Sequence, residues 1–309
     1  MKIDCIYISC YKHDVRFTRI LVASIRDWYE EIPIILIKDF RYGGFDTSDL
    51  ERYFHASVFQ SDRRCFGWGF GKLEPLFIPD RKRCLILDSD IVMIGPVLDT
   101  LEEYTEDFVV TLEQEDNDFV RRLYFDVEAL ERMDPAFKFL GKTFNTGQLV
   151  ATSGLLSRAD FDPYVNWAEP PVVKDPGIFQ CGEQGLLNYI LLKKQSMSQL
   201  SLKQTPLMVV ADSPLCREMR LNPREAQRSS CTLIHWCGQV RTPDSPLLAG
   251  MYGRNILLHF ERLYYRRLPL GLVVLWMRLL GSAVRAAVIP RLKKVPNIQD
   301  GWHRLRSKG

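Results

Sequence analysis

The chain has 309 residues, 46% hydrophobic and 26% charged, the balance of an ordinary globular protein able to bury a sizeable core as one large domain or one domain plus an appendage. The net charge of +3 hides an asymmetry: twelve Lys/Arg and only two acids lie from Arg254 onward, so this tail carries about +10 and the remaining 29 bases and 36 acids give a body of about −7. The eight cysteines (5, 10, 65, 84, 181, 216, 231, 237) contain no C-x-x-C pair, which argues against a structural zinc site and fits a reducing cytosol.

In chain order, "KIDCIYIS" predicts a first strand and not a signal peptide, because an early aspartate interrupts it and no long apolar core follows. Apolar residues at helical spacing (Val15, Ile20, Leu21, Ile25, Trp28) predict a helix over 14–29 that Asp14 can cap. "IPIILIKD" is a continuous apolar run and predicts a strand buried on both faces. "TSDLERYF" predicts a short helix capped by Thr47 or Ser48, "ASVFQ" a strand, "LEPLFIPD" a helix up to its proline, and "RCLILDSD" a buried strand ending in two aspartates. Further strands are expected at "DFVVTLE", "GQLVATS", "LMVVAD" and "CTLIHW", with a helix at "EQGLLNYILLKK". Strands alternating with helices imply an α/β fold with a mostly parallel sheet, whose ligands bind beyond the carboxyl ends of the strands. A boundary is expected near 245–253, dividing a catalytic domain at 1–245 from a basic segment at 246–309.

Four places carry candidate chemistry. Asp88 and Asp90 lie two apart at a strand end, so both carboxylates can face one ligand, and oxygen donors with open positions suit Mg²⁺ or Mn²⁺ bridging to phosphate. "DSDIV" also matches the D-x-D-x-V/T of haloacid-dehalogenase-like phosphatases, with Asp88 as nucleophile and Asp90 as acid/base; that family carries it on the first strand, and here three strands precede it. Asn145-Thr146-Gly147 precedes a strand, either as a plain turn or as an amide aimed at a sugar hydroxyl. Glu183 and Gln184 open a helix, either as dipole-favouring first-turn residues or as groups at the reacting carbon. His235 ends a strand, either as a satisfied core histidine or as a third metal ligand, with Gly238 and Arg241 placed to meet phosphate. Lys72, in "FGWGFGKLEPL", either contacts a diphosphate, pairs with the aspartates or sits on the surface; no G-K-[ST] follows, so a P-loop is excluded.

In this order the four pieces resemble nucleotide-sugar glycosyltransferases of the GT-A fold, most of all glycosyltransferase family 8, over roughly residues 1 to 245. The matching elements are D-x-D at Asp88-Ser89-Asp90, N-T-G at Asn145-Thr146-Gly147, Glu183-Gln184 where the family has D-Q, and H-x-x-G-x-x-K at His235, Gly238 and Arg241. The resemblance implies a hexosyltransferase with a UDP-sugar donor and a divalent metal, usually Mn²⁺, held by Asp88, Asp90 and His235. It implies Arg241 on the diphosphate, Asn145 and Gln184 around donor sugar and acceptor, Tyr11 as the remaining aromatic able to stack on uracil, and retention of anomeric configuration. A nucleotide-sugar-binding protein without turnover is the non-enzyme alternative.

The tail adds a second expectation. Its longest apolar run, 268–277, is far short of the about 20 residues that cross a bilayer. Arg278 and Arg285, seven apart, share one helical face, while Leu272, Leu275, Trp276, Leu279, Leu280 and Val284 cover much of the rest. The pattern predicts an amphipathic helix lying on an anionic membrane surface or, alternatively, packing back on the domain; arginines interleaved with a greasy face do not suit nucleic acid. A transferase docked on the cytoplasmic face of a membrane would meet glycan or lipid-linked acceptors of cell-surface polysaccharide or glycolipid synthesis.

Overall fold

The computed structural model describes residues 1–67, 69–113, 116–211, 232–237 and 254–292. The chain divides into two compact units, Met1–Glu261 and Arg262–Gly309. The expected boundary near 245–253 lies outside the described residues.

The first unit is built on a seven-stranded sheet. Its strands are β1 (Cys5–Tyr11), β2 (Ile34–Asp39), β3 (Ala56–Val58), β4 (Arg83–Asp88), β6 (Phe108–Thr111), β7 (Gln148–Thr152) and β10 (Leu202–Thr205), in the order β10-β6-β7-β4-β1-β2-β3. Neighbours are parallel except at β7, which runs antiparallel to both β4 and β6. The sheet is therefore mixed and mostly parallel, as expected. Both faces of β1 are covered: Tyr7 and Cys5 join one core cluster with Ile86, Phe108 and Leu187, while Ile6 and Ile8, pointing the other way, are fully buried as well. β4 beside it is buried on both faces as well, through Cys84 and Ile86 on one side and Leu85 and Leu87 on the other, which is why it reads as an unbroken apolar run.

Helix α1 (Val15–Trp28) connects β1 to β2 and buries Phe17, Ile20, Leu21 and Ile25. Asp14 occupies its N-cap position, where its backbone carbonyl, not its side chain, makes the first helical bond. Helix α2 (Ser48–Phe54) starts after Thr47. The helix expected at "LEPLFIPD" starts earlier and is a 3₁₀ helix, Phe70–Phe77. Pro75 inside it has no N–H to give an α-helical ladder, which favours this short tight form.

A smaller sheet does the positioning. Directly after Asp88-Ser89-Asp90 the chain leaves the large sheet and forms β5 (Ile91–Ile94). β5 pairs antiparallel with β12 (Thr232–His235), which in turn pairs parallel with β11 (Met208–Val210). His235 faces Ile91 in register, and the Trp236 amide donates to the Asp90 carbonyl at 2.9 Å. The two aspartates thus sit at the junction of two sheets.

Short helices α3 (Val97–Glu102), α4 (Asn117–Leu123), α5 (Val127–Met133) and α6 (Arg158–Phe161), the hairpin β8 (Val165–Asn166) with β9 (Val172–Val173), and the longer α7 (Glu183–Ser196) complete this unit's described elements up to β12. Near the C-terminus are α8 (Arg254–Arg267) and α9 (Gly271–Leu292). Among the described residues, no helix is long and apolar enough to cross a membrane. In α9, Leu272, Val273, Val274, Trp276, Met277 and Leu280 are each 45–64% exposed.

Candidate active site

Parallel β1, β2 and β4 end at one edge of the sheet, and antiparallel β7 begins there. In register, Ser9 neighbours Asp88 and Tyr11 neighbours Asp39, while the Asp88 amide donates to the Gly147 carbonyl at 2.9 Å. A cleft of about 400 Å³ opens at this edge. It is lined by Tyr11, Lys72, Asp88, Ser89, Asp90, Asn145, Thr146, Glu183, Gln184 and His235, all singled out from the sequence. Gly147 lies at its wall through His235, and Gly238 and Arg241 lie outside the described residues.

Asp88 belongs to a closed corner. Lys72, its side chain 5% exposed, places its ammonium 2.9 Å from Asp88 Oδ1 and 2.8 Å from Glu183 Oε1. The same nitrogen donates to the carbonyl and hydroxyl of Thr146, both at 3.2 Å. Burial alone would lower the lysine pKa, but the charges of Asp88 and Glu183 outweigh it and hold the ammonium above its usual range. Burial pushes the Glu183 carboxyl up, opposed by Lys72. Lys72 is therefore neither a surface residue nor a loose phosphate contact in this state; it is the cation that holds two carboxylates together on the floor of the cleft.

Thr146 and Gln184 serve the same corner. The Thr146 hydroxyl donates to Glu183 Oε1 at 3.0 Å and is 2% exposed. Gln184 accepts from Thr146 with Oε1 at 3.4–3.5 Å and donates with Nε2 to the Leu123 carbonyl at 3.1 Å. Both residues lock the start of α7 to the turn before β7. In that turn Asn145 Oδ1 accepts from the Gly147 amide at 2.8 Å, so the plain-turn reading of N-T-G and its position at the cleft both hold.

Asp90 belongs to an open corner. His235 Nε2 lies 3.1 Å from Asp90 Oδ1 and 4.0 Å from Asp88 Oδ2. Burial would raise the Asp90 carboxyl, but the imidazole holds it below the usual carboxylate range; burial would lower His235, but Asp90 raises it. A side chain at 147 would put Cβ 2.6 Å from the His235 ring, so only glycine lets the imidazole lie this close to β7.

Asp88, Asp90 and His235 each offer one ligand atom, all within 4.8 Å of one another. Two carboxylates and an imidazole form a donor set suited to Mn²⁺ or Mg²⁺, and His235 Nδ1 is buried without a hydrogen-bond partner. The residues present therefore fit a divalent ion. They reach this place from β4, from the turn into β5 and from β12, elements brought together by sheet pairing alone.

The sequence reading missed several lining residues. Asp39 ends β2 beside Tyr11; burial pushes its carboxyl up, while the Arg41 and Phe66 amides that donate to it pull the other way. Tyr42 joins Tyr11 and His13 in an aromatic group with centroids 5.0–6.1 Å apart at the same mouth. The signal was available: "IPIILIKD" also carries an acid to the carboxyl edge, just as "CLILDSD" does. Cys181, which precedes the start of α7, lines the cleft too.

No protein-family model matches the chain, and no curated protein matches it. Solved structures share its fold. The bifunctional glycosyltransferase WbbM, in its apo form, is similar over 86% of this chain at 12% identity with a TM-score of 0.56. The chain spans about half of WbbM, 52% of that protein's length. The galactosyltransferase LgtC, solved with donor and acceptor sugar analogues, is similar over 82% of this chain and 94% of its own length, at 14% identity and TM-score 0.53. The glycosyltransferase GlyE of Streptococcus pneumoniae is similar over 90% of this chain and 64% of its own length, at 13% identity and TM-score 0.51. At these identities the likeness is one of fold: the chain has the GT-A fold expected from its motifs.

Proposed function

We propose that the chain is a metal-dependent glycosyltransferase of the family 8 kind, moving a hexose from a UDP-sugar to a glycan or lipid-linked acceptor with retention of configuration. The observation that carries this reading is the convergence of Asp88, Asp90 and His235, with donor atoms within 4.8 Å of one another, at the carboxyl edge of a GT-A sheet. In this reading those three residues hold Mn²⁺ or Mg²⁺, which when bound supplies positive charge for a departing diphosphate. Arg241 would clamp diphosphate oxygens, Tyr11 would stack on the base, and Asn145 would meet the donor sugar. Lys72 keeps Asp88 and Glu183 in place and offsets part of their charge, so donor binding does not have to reorganise the cleft floor. Glu183 and Gln184 stand at the start of α7 as candidates for the face of the reacting carbon.

The tail supports a membrane partner in the same reading. The six exposed apolar side chains of α9 lie in the segment from Arg254 onward that carries about +10, the combination that binds anionic interfaces. It would hold the enzyme on the inner face of a membrane, where acceptors for cell-surface polysaccharide or glycolipid synthesis are presented. Flotation with phosphatidylglycerol-rich vesicles checks this; protein that stays at the bottom of the gradient removes the membrane from the proposal.

The test of the catalytic reading is calorimetric binding of UDP, with Mn²⁺ and then with excess EDTA, on the wild type and Asp90→Ala. Expected is metal-dependent binding that the variant abolishes, followed by hexose transfer or slow donor hydrolysis. A UDP-sugar held without any turnover points instead to a binding protein. Silence toward UDP, GDP and other nucleotides, with phosphate released from simple esters, returns the phosphatase.

A further inference from the structure

A second cleft, of about 640 Å³, lies apart from the Asp88 site, and its size is that of a small-molecule site. The 3₁₀ helix and the segment before it contribute to both clefts. Gly67, Gly69 and Lys72 line the first; Gln60 to Arg63 and Glu74 line the second. The second is completed by Phe59, Arg158, Trp167 and Glu169.

This cleft is built. Trp167 is held by its indole N–H, which donates to Asp162 at 2.7 Å, and by the edges of Phe70 and Phe77, with centroids 6.4 and 6.0 Å away. Arg158 lies over the Trp167 ring, 4.8 Å from its centroid, and donates to both oxygens of Glu74 at 2.7–2.8 Å. Arg63 ties the rim together by donating to the carbonyls of Trp167 and Ala168, and its Nε–H is buried without a partner. Glu169 Oε1 accepts from the amides of Arg64 and Cys65, both at 2.8 Å. These contacts fix planar carboxylate and guanidinium groups around an aromatic floor before any ligand arrives.

The charge balance says what kind of ligand fits. Two arginines face Asp62, Glu74 and Glu169, and one of those pairs is already closed. A nearly balanced wall does not select a phosphate or a metal ion. With Glu74 closed on Arg158 and Arg63 spent on backbone carbonyls, the carboxylate of Asp62 and the second oxygen of Glu169 remain beside the aromatic rings, a combination that suits a ring with an apolar face and hydroxyls to donate. We infer that this cleft is a second, non-catalytic binding site for a neutral saccharide, which holds a part of the acceptor glycan remote from the reacting end. The saccharide class rests on the chemistry of the cleft; its description as acceptor rests on the transferase reading.

Saturation-transfer NMR on the full chain, with Mn²⁺ and UDP at saturating concentration, tests it. The probes are methyl α- and β-glucoside, methyl α- and β-galactoside, maltose, cellobiose and lactose. At least one should bind, and binding should persist in Asp90→Ala. It should weaken about tenfold in Trp167→Ala. Because Trp167 also packs against Phe70 and Phe77, the exposed pair Gln60→Ala with Asp62→Ala is the second variant; it should weaken binding several-fold without changing the unfolding midpoint. Absence of binding by every probe overturns the inference. So does binding that disappears in Asp90→Ala and ignores both cleft variants, since the sugar would then sit in the first cleft. Saccharide binding here without any UDP binding leaves this site standing while the transferase reading falls.

Discussion

Asp88 and Asp90 are two residues apart, yet they end in different electrostatic settings. The Asp88 carboxylate meets a fixed cation: Lys72, 5% exposed, which also holds the buried Glu183. The Asp90 carboxylate meets an imidazole, whose charge depends on a proton. A lysine held above its usual pKa stays charged between its two carboxylate partners and so belongs to the architecture. A histidine can release its proton and offer a lone pair, so the second corner can exchange an internal partner for a metal ion. The same three-residue motif thus ties one oxygen of Asp88 into the architecture, while Asp88 Oδ2, Asp90 and His235 face one another where a metal ion would bind.

Removing the lysine should break this comparison most severely. Lys72→Met leaves Asp88 and Glu183 side by side without their cation, and should cost about 3–5 kcal/mol in urea unfolding. The double variant Lys72→Met with Glu183→Gln should recover part of that loss, because the deeper of the two orphaned charges is gone. A single-variant loss below about 1 kcal/mol would mean that the closed corner is no more structural than a surface pair.

Gly147→Ala acts on the open corner by sterics. Its Cβ would lie 2.6 Å from the His235 ring and 2.8 Å from Asn145 Oδ1. Overpacking of this kind costs about 1–3 kcal/mol. Displacement of the ring should also weaken Mn²⁺ binding, read as a rise in free Mn²⁺ by electron paramagnetic resonance. His235→Gln keeps a hydrogen-bonding end beside Asp90 and should cost less, about 1–2 kcal/mol, yet it should weaken Mn²⁺ at least as much as Gly147→Ala does. If the stability loss in His235→Gln approaches that of Lys72→Met, the two corners do not differ in kind.

The motif positions were legible because strand ends are legible. An apolar run ending in acids places Asp88 and Asp90 at the carboxyl edge, and a short strand ending at His235, 145 residues beyond Asp90, does the same. Which of these residues would face inward was not legible. Thr146 and Gln184 read as ligand contacts, but their polar groups are engaged with Glu183, Lys72 and the Leu123 carbonyl. That depends on where the 3₁₀ helix delivers Lys72, a non-local contact that periodicity does not encode. The second sheet was hidden for the same reason: "IVMI" is uniformly apolar, and only its pairing with β12 shows that it has left the main sheet. Asp39 was missed although the rule that found Asp88 applied to it, because its strand carries one acid and no pair; Tyr42 lies in the turn beyond that strand, where no rule pointed to it. The second cleft gathers residues from four separate stretches, and in the one that was singled out, around Lys72, the attention fell on Lys72 and not on Glu74.

A surface carboxylate sets the scale against which both corners are read. Asp126 caps α5 by accepting from the Ala129 amide at 2.9 Å, and Arg121 donates to its other oxygen at 2.7 Å. The amide bond is the main influence holding this carboxyl below its usual range, with Arg121 adding to it. Since the folded pKa is depressed, the stabilisation is present above the ordinary aspartate value of about 3.9 and is lost as pH falls through the folded value. Asp126→Ala should therefore cost about 1 kcal/mol at neutral pH, the usual worth of a cap. Below the folded pKa the variant and the wild type should converge in urea unfolding. Lys72→Met should respond at higher pH: its deficit stands while the buried Glu183 is ionised and narrows as that carboxyl, raised by burial, takes up a proton, which happens above the range in which Asp126 titrates. A deficit that narrows at higher pH for Lys72→Met than for Asp126→Ala would separate a buried charge cluster from a cap by one acid titration.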